Sequence, residues 1–295
     1  MRCRSSRAIR GWINCRLGVA SPVPRRHHSS MRAGYNPTRR NRNIGTAKQG
    51  HGQNNRLVIP MPGGLHSSLD RIGEHVRERR QVAGADVTFI IEALRDGCLY
   101  PCSIDDVASL LERVPASDWA GIKTIVFRQP SRKQEILCPA WGRLRYGGTI
   151  ASGKNRIVAR GPMILLDAIE EGLCIKWPAR LALEDQAELE RLHADGHEVE
   201  RAGNHHVVRI TAESARWTQL YRTMLHEIGH WFDWLEKVEG PAGRGEDFDI
   251  LVDRYFARPQ AEREAFANRY AARASVRLKA VGAIPFEPLG NTPIA

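Results

Sequence analysis

Leu225–Trp231 reads L-H-E-I-G-H-W, and the expected arrangement of the rest of the chain follows from it. The segment lies inside a predicted helix of about residues 215–238 that is apolar on most sides, which is typical of a buried helix. Because residues four apart share one face of a helix, His226 and His230 present two imidazoles to the same point. Two neutral imidazoles suit a tetrahedral Zn²⁺, and Glu227 is then placed to act as general base on a metal-bound water. The competing interpretation is a core helix whose two histidines are hydrogen-bonded within the protein.

Two histidines do not complete a metal site, so the source of a third ligand has to be found. The predicted helix continues past His230 without a Gly in the next nine residues, which makes Glu236 a poor ligand. A better position occurs in a second predicted helix, over about residues 261–270, which carries Glu264 and, one turn later, Asn268. For Glu264 the competing interpretation is an ordinary solvated helix face.

The two segments together resemble the gluzincins, the thermolysin-like zinc peptidases, in which H-E-x-x-H is followed by an E-A-x-x-D helix. They are more similar still to the small gluzincins of the ImmA/IrrE type, which pair H-E-x-G-H with an E-x-E-A-x-x-F-A-like helix. The resemblance covers about a fifth of the chain. It implies that Glu264 completes the metal shell and that position 268 hydrogen-bonds a ligand histidine. This chain has Asn268 where the gluzincins have an acid, and an Asn side chain can still accept a hydrogen bond from an imidazole N–H.

The resemblance implies a zinc-dependent peptidase that acts on a narrow protein substrate. His226, His230 and Glu264 would hold Zn²⁺ with one position open for water, and Glu227 would be the general base. Gluzincins commonly use a Tyr or His to stabilise the oxyanion, and Tyr255 is the predicted donor here. The other candidates for this role are Tyr146, His205 and His206.

A second class of function is open on the same residues. An antirestriction-like protein of a mobile element could use the H-E-x-x-H zinc structurally, as a DNA- or protein-binding module without proteolytic activity. A metal-free pseudoenzyme is a third possibility, which the intact Glu227 disfavours. Zinc content, the presence of an open coordination position and digestion of peptides distinguish these three hypotheses.

The net charge of +11 belongs to the N-terminal part of the chain. Residues 1–56 contain 13 of the 44 Lys and Arg residues and no acidic residue, whereas the remainder has 31 basic and 33 acidic residues. Residues 1–58 are therefore predicted to be a disordered basic tail. Three interpretations of the tail are open: an arm that binds polyanions such as nucleic acid weakly, an organellar targeting segment, and sequence upstream of a true start at Met31.

The hydrophobic patterns predict an α+β fold in which a short antiparallel sheet packs on the H-E-x-x-H helix and on the following Glu-bearing helix. Residues 59–115 are predicted to form a small subdomain of three helices, and residues 116–295 a zincin-like metallopeptidase domain. In the latter we expect a helix over 183–194 and strands over 122–128, 136–145, 161–168 and 205–211. The Gly-rich segment 147–160 is predicted to be either a mobile lid or the edge of the sheet.

Several other functions are disfavoured by the sequence. No apolar run approaches the roughly 18–20 residues of a transmembrane helix, so no membrane partner is expected. Residues 148–154 resemble a phosphate-binding P-loop, but Asn155 stands where a Mg²⁺-binding Ser or Thr belongs. The three helices of 59–115 carry no base-reading side chains that would mark a recognition helix. The six cysteines contain no C-x-x-C pair and are expected to be reduced, which favours the cytoplasm, with organellar targeting by the tail left open.

Overall fold

A computed structural model of the chain describes Arg4–Ser5 and residues 67–137, 140–153 and 156–290. These residues belong to one compact unit, and a second unit, Gly18–Gly64, lies outside them. The predicted tail of residues 1–58 therefore falls almost entirely outside the described part of the chain. The fold is α+β, with a mixed sheet and several helices, which confirms the predicted class.

The described strands and helices follow one another in this order along the chain. The strands are β1 (Arg4–Ser5), β2 (Ser67–Ile72), β3 (His75–Val82), β4 (Ala85–Glu92), β5 (Cys98–Leu99), β6 (Thr124–Arg128), β7 (Gly142–Ser152), β8 (Arg156–Asp167), β9 (Ile169–Glu170), β10 (Cys174–Pro178), β11 (Glu198–Ala202) and β12 (His205–Arg209). The helices are α1 (Ile104–Arg113), α2 (Arg132–Leu137), α3 (Leu183–Ala194), α4 (Ala212–Trp217), α5 (Leu225–Trp234), α6 (Gly240–Gly243), α7 (Phe248–Ala257) and α8 (Gln260–Ala280). A short 3₁₀ turn covers Ala116–Trp119.

The main sheet has six strands in the order β2-β7-β8-β6-β4-β3. The pairs β2–β7, β6–β8 and β4–β6 are parallel, whereas β7–β8 and β3–β4 are antiparallel. The prediction of a short antiparallel sheet is therefore wrong, because β4, β6 and β8 run in one direction and need helical crossovers. A second sheet, in the order β1-β10-β12-β11, contains the strand predicted over 205–211.

The predicted helical subdomain of residues 59–115 is also wrong, except at its last helix. Residues 75–92 form the antiparallel hairpin β3–β4, in which Val82 pairs with Ala85. The two residues between them, Ala83 and Gly84, have φ angles of 48° and 80°, which suit a tight hairpin turn whose twist matches that of the strands. The third predicted helix is α1, which begins with a capping box of reciprocal hydrogen bonds between Ser103 and Asp106.

The described residues of the segment 147–160 are mostly strand and not a lid. Part of the segment is an edge, because residues 156–160 of β8 pair with β7 alone and β6 pairs with β8 only from Met163 onward. Gly147–Ser152 of β7 pairs with β2 on one side and, over most of its length, with β8 on the other. The first half of β7 pairs only with β8 among the described strands, over Gly142–Arg145. That half-strand is a free edge of the sheet, and it contacts the helix that carries the two histidines.

One helical run extends over residues 212–243 and includes α4, α5 and α6. Two segments with wider, π-type turns, Thr218–Met224 and Leu235–Glu239, lie on either side of α5. Such turns are rare in helices and occur often at functional sites. Gln219, which is fully buried in the first of them, donates hydrogen bonds to the carbonyl oxygens of Trp141 (2.7 Å) and Asp167 (2.9 Å). The run is thereby fixed against the start of β7 and the end of β8.

The main core lies between the inner face of the six-stranded sheet and the helices. Ile125, Phe127 and Ile164 of the sheet pack in one cluster with Leu225 and Ile228 of α5. This burial accounts for the predicted apolar wrapping of the helix. No helix of the described residues is both long and apolar enough to cross a membrane.

Cys98 and Cys102 are free thiols, but Cys174 is disulfide-bonded. The expectation that all cysteines are reduced is therefore wrong at Cys174. Disulfides are rare in reducing compartments, so this bond does not favour the cytoplasm.

Candidate metal centre

The two histidines of the motif lie on the face of α5 that is turned toward α8. A glycine between them allows the two helices to approach closely: a methyl group at Gly229 would lie 3.0 Å from both the carbonyl oxygen of Ala267 and Cβ of Tyr270. Any larger residue would push α8 away from α5. Because Glu264 projects from α8, this close contact brings its carboxylate to the histidines.

The structure brings the three predicted metal ligands together. The Oε2 atom of Glu264 is 3.3 Å from Nε2 of His226 and 3.5 Å from Nε2 of His230. The two imidazole rings have centroids 4.6 Å apart and planes inclined at 89°, so both rings direct Nε2 to the same carboxylate oxygen. Within the part of the chain that the structure describes, this is the one group of three such side chains whose donor atoms could surround an ion.

The two separations between Glu264 and the histidines fit a tetrahedral Zn²⁺, and all three donor atoms lie within 4.8 Å of one another. Ligand atoms bonded to zinc at about 2.0–2.1 Å along tetrahedral directions are about 3.3–3.4 Å apart. The two Glu264–His distances of 3.3 and 3.5 Å match this value. In addition, Oε2 of Glu264 is buried and makes no geometrically acceptable hydrogen bond among the described residues. A buried carboxylate oxygen needs a partner, and a cation between the three donors would supply it.

The electrostatics of the cluster favour a charged carboxylate. Burial disfavours the charged form of Glu264, but the imidazoles of His226 and His230 that face its carboxylate hold its pKa well below the ordinary value of 4.5. Burial likewise disfavours the charged form of His226, but Glu264, Glu227 and Asn268 together raise its pKa above 6.5.

The ligand histidines differ in their outer contacts. Asn268, one turn after Glu264, lies near enough to His226 to contribute to the raised pKa of that imidazole. The Nδ1 atom of His230 is buried and has no hydrogen-bond partner among the described residues. The Asn that stands where the resembling motif has an acid is thus a neighbour of His226.

Glu227 contacts the free edge of the sheet. Its Oε2 atom accepts a hydrogen bond of 2.7 Å from the backbone N–H of Leu144 in β7. The side chain is 8% exposed and lies at the wall of the cavity that contains the three ligands. The contact was not predictable, because a backbone N–H leaves no signal in the identity of residue 144.

The site opens into a cavity of about 640 Å³ between β7, α8 and the helical run 212–243. Residues 140–146 form one wall, and the side chains of α8 from Gln260 to Lys279 form another. The floor carries His226, Glu227 and His230.

The predicted oxyanion donor Tyr255 is not at this cavity. Its side chain is 1% exposed, and its hydroxyl lies 3.0 Å from the hydroxyl of Tyr146, which does line the cavity. Tyr255 therefore lies behind Tyr146 and does not line the cavity in this structure. The alternatives His205 and His206 are in β12 of the second sheet and do not line the cavity.

Arg263 is a cavity residue that the sequence analysis missed. It directly precedes Glu264, and its guanidinium lies over the rings of Tyr255 (5.7 Å) and Phe256 (5.3 Å). A helical wheel that placed residues 260, 264 and 268 on the ligand face would also have placed residue 263 beside it.

The description of the Glu227–Leu144 contact and of the three converging donors is based on this chain and not on a related protein. No protein-family model matches the chain, and neither a curated protein nor a solved structure matches it.

Proposed function

We propose that this chain is a zinc-dependent peptidase that hydrolyses peptide bonds in a narrow protein substrate. The observation that supports the proposal most directly is the convergence of His226, His230 and Glu264, in which both Glu–His separations suit a tetrahedral ion. Zn²⁺ held by these three side chains would supply a water of lowered pKa and polarise a substrate carbonyl.

Glu227 is the proposed general base. Its Oε2 atom is held by the N–H of Leu144, which fixes the carboxylate at the cavity wall beside His226 and leaves Oε1 for a water. In the proposed reaction Glu227 accepts the proton of the attacking water and then delivers it to the leaving amine nitrogen.

The edge of β7 is the proposed binding site for the peptide backbone. In a β-strand the N–H and C=O of one residue point to the same side, so the carbonyl of Leu144 faces the cavity side as its N–H does. An extended peptide can pair with such groups by main-chain hydrogen bonds, which give affinity without sequence preference. Selection of a narrow substrate then depends on the side chains that line the rest of the cavity.

Tyr146 is the proposed donor to the oxyanion. Burial raises the pKa of its hydroxyl above the ordinary value of 10.0, so the hydroxyl stays protonated. The Tyr255 hydroxyl at 3.0 Å can donate to Tyr146, which leaves the Tyr146 proton for a partner in the cavity. Tyr255 would thus act as a positioning residue behind the catalytic one.

The alternative, a zinc-containing DNA- or protein-binding module, depends mainly on the basic tail, which lies outside the described residues. Its zinc would be structural and need no open position or general base. The buried Glu227 beside the ligands favours the peptidase, because a structural site has no use for a fourth carboxyl group held at its edge.

Metal analysis of the full-length protein tests the proposal. We expect one zinc per chain in the wild type, far less in Glu264→Ala, and cleavage of a peptide library that stops on chelation and returns with zinc. Unchanged zinc content in Glu264→Ala would contradict the assignment of Glu264 as a metal ligand. Full zinc occupancy without cleavage of any peptide or protein substrate would favour the binding module instead.

A further inference from the structure

The cavity extends well beyond the three ligands, along α8. Residues from Gln260 to Lys279 line it, and they are nineteen positions apart on one helix. At about 1.5 Å per residue this is a groove of about 28 Å, enough for about eight residues of an extended peptide. The chemistry of the groove away from the ligands therefore bears on which peptide it would accept.

The groove carries more positive than negative side chains. Six Arg or Lys residues line it, against four Asp or Glu residues, two of which are Glu227 and Glu264 of the proposed active site. Four of the six cations are held in ion pairs with carboxylates. These pairs are Arg143–Asp167 (2.6 Å), Arg145–Asp70 (2.9 Å), Arg191–Glu188 (2.8 Å) and Arg222–Asp195 (2.7 Å).

Arg263 and Lys279 are the remaining two cations. Among the described residues, no carboxylate lies within ion-pair distance of either. The Nε atom of Arg263 is buried and has no hydrogen-bond partner within the described residues, while its guanidinium is held over two aromatic rings. A buried donor of a cation without a partner is costly, and a ligand that supplied an acceptor would remove that cost.

Lys279 is at the opposite end of the groove. Its ammonium lies 5.5 Å from the centre of the Trp217 ring, which also lines the cavity. A lysine in the last turn of a helix is favoured by the helix dipole, and that alone explains a cation at this end. It does not explain why the side chain lies over a cavity residue.

From these positions we infer that the substrate is a peptide segment with acidic side chains on both sides of the scissile bond. One carboxylate would bind Arg263 beside the metal ligands, and the other would bind Lys279. The two cations are sixteen residues apart on α8, which is about 24 Å, or about seven residues of extended peptide. This inference rests on the proposed peptidase function, since it takes the groove to be the substrate site.

Two isomeric peptides test the spacing at constant total charge, and a third peptide without Glu is the neutral reference. All three are labelled twelve-residue peptides of Gly, Ser and Gln, and the two isomers carry two Glu either seven or two positions apart. Binding is measured by fluorescence anisotropy with the full-length protein after zinc removal, so that carboxylates cannot bind the metal and no cleavage occurs. The basic tail attracts both acidic isomers equally and so cancels in their comparison.

We expect the widely spaced isomer to bind about two- to fivefold more tightly than the closely spaced one, because only its second carboxylate reaches the exposed Lys279. Since the preference needs both cations, Arg263→Gln and Lys279→Gln should each remove most of it, and Arg263→Gln should also weaken binding of both acidic isomers because Arg263 is partly buried. Arg273→Gln is the matched control, since Arg273 is an exposed cation of α8 outside the cavity, and it should change neither affinity. Zinc stoichiometry of Arg263→Gln shows whether the neighbouring ligand site is intact.

Equal binding of the two acidic isomers, or an equal effect of Arg273→Gln, would overturn the inference. These results are separable from failure of the peptidase proposal. If the protein cleaves neutral peptides in a zinc-dependent way with no preference for acidic ones, the peptidase proposal stands and the inference of an acidic substrate is rejected. If the protein prefers the widely spaced isomer but cleaves no peptide, the groove binds acidic peptides and the peptidase proposal is rejected.

Discussion

The backbone N–H of Leu144 donates a 2.7 Å hydrogen bond to the Glu227 carboxylate, and this bond joins the edge of the main sheet to the histidine-bearing helix. It gives Glu227 one fixed oxygen in a nearly buried setting, where a free carboxylate would be costly. In the proposed reaction the same contact aligns the base with the strand edge where a peptide would bind. The roles of the acid group and of its position can therefore be separated by substitution.

Glu227→Gln removes the base but keeps an oxygen that can accept from Leu144. We expect zinc content and melting temperature to stay near those of the wild type, with peptide hydrolysis reduced about 10²–10⁴-fold. Metal analysis, thermal unfolding and a peptide cleavage assay check this.

Glu227→Ala is the companion variant, since it also leaves the Leu144 N–H without its acceptor. It should lose about 1–3 kcal/mol of unfolding free energy beyond the loss of activity. Hydrolysis at the wild-type rate by either variant would exclude Glu227 as the base.

Gly229→Ala should weaken metal binding through the spacing of α5 and α8. The added methyl group would meet the Ala267 carbonyl oxygen and Tyr270 Cβ at 3.0 Å, so α8 has to move by a few tenths of an ångström, carrying Glu264 with it. Overpacking of this kind costs about 1–3 kcal/mol, so both the melting temperature and the zinc affinity should fall.

Gly243→Ala is the control for that substitution. Gly243 ends α6 in the same helical run, and a methyl group there would have no neighbour within 4 Å. It should leave zinc affinity unchanged. Equal zinc affinities for both variants would mean that the close contact of the two helices does not set the position of Glu264.

The stability of the metal-free protein should depend on pH through His226 and Glu264. The pKa of His226 is raised above 6.5, so its contribution is complete below pH 6.5 and is lost as the pH rises through the raised value. The pKa of Glu264 is lowered below 4.5, so its contribution is complete above pH 4.5 and is lost as the pH falls through the lowered value. The stabilising contributions of His226 and Glu264 are both complete only between pH 4.5 and 6.5.

Thermal unfolding of wild type and Glu264→Gln in chelator measures this dependence. The difference in melting temperature should be largest between pH 4.5 and 6.5 and should shrink at higher pH. Zinc competes with the His226 proton, so the rise in melting temperature on adding zinc should grow as the pH increases through the raised pKa. A zinc effect independent of pH from 5 to 8 would contradict the assigned ligands.

The clustering of the three candidate ligands could be predicted because it depends on local helical spacing. His226, His230 and Glu264 are placed by i, i+4 geometry and by a second helix whose resemblance to a known motif marks the Glu. The hairpin over 75–92 was misread for a physical reason. Most of β3 is polar and solvent-facing, and the apolar residues of β4 are as compatible with a buried helix as with a strand, so local pattern could not choose between them.

Contacts between distant segments left no readable signal. The pairing of β7 with β2, which makes residues 142–146 an edge, joins segments about eighty positions apart. The direction in which Tyr255 packs depends on Tyr146 and Trp234, which no local pattern brings together. The sequence therefore supports the choice of a tyrosine for the oxyanion but not the choice of which tyrosine.

Paired substitutions at the two tyrosines decide between them. Tyr146→Phe removes the hydroxyl that faces the cavity, and we expect kcat to fall about 10²-fold with little change in KM, as for loss of one oxyanion donor. Tyr255→Phe removes a hydroxyl that is 3.0 Å behind it, so kcat should fall less than about fivefold, and unfolding free energy by about 1 kcal/mol. Steady-state kinetics and denaturant unfolding of both variants give these values. A larger loss of kcat in Tyr255→Phe than in Tyr146→Phe would mean that the cavity wall rearranges so that Tyr255 reaches the substrate. In the present structure Tyr146 lies between Tyr255 and the cavity.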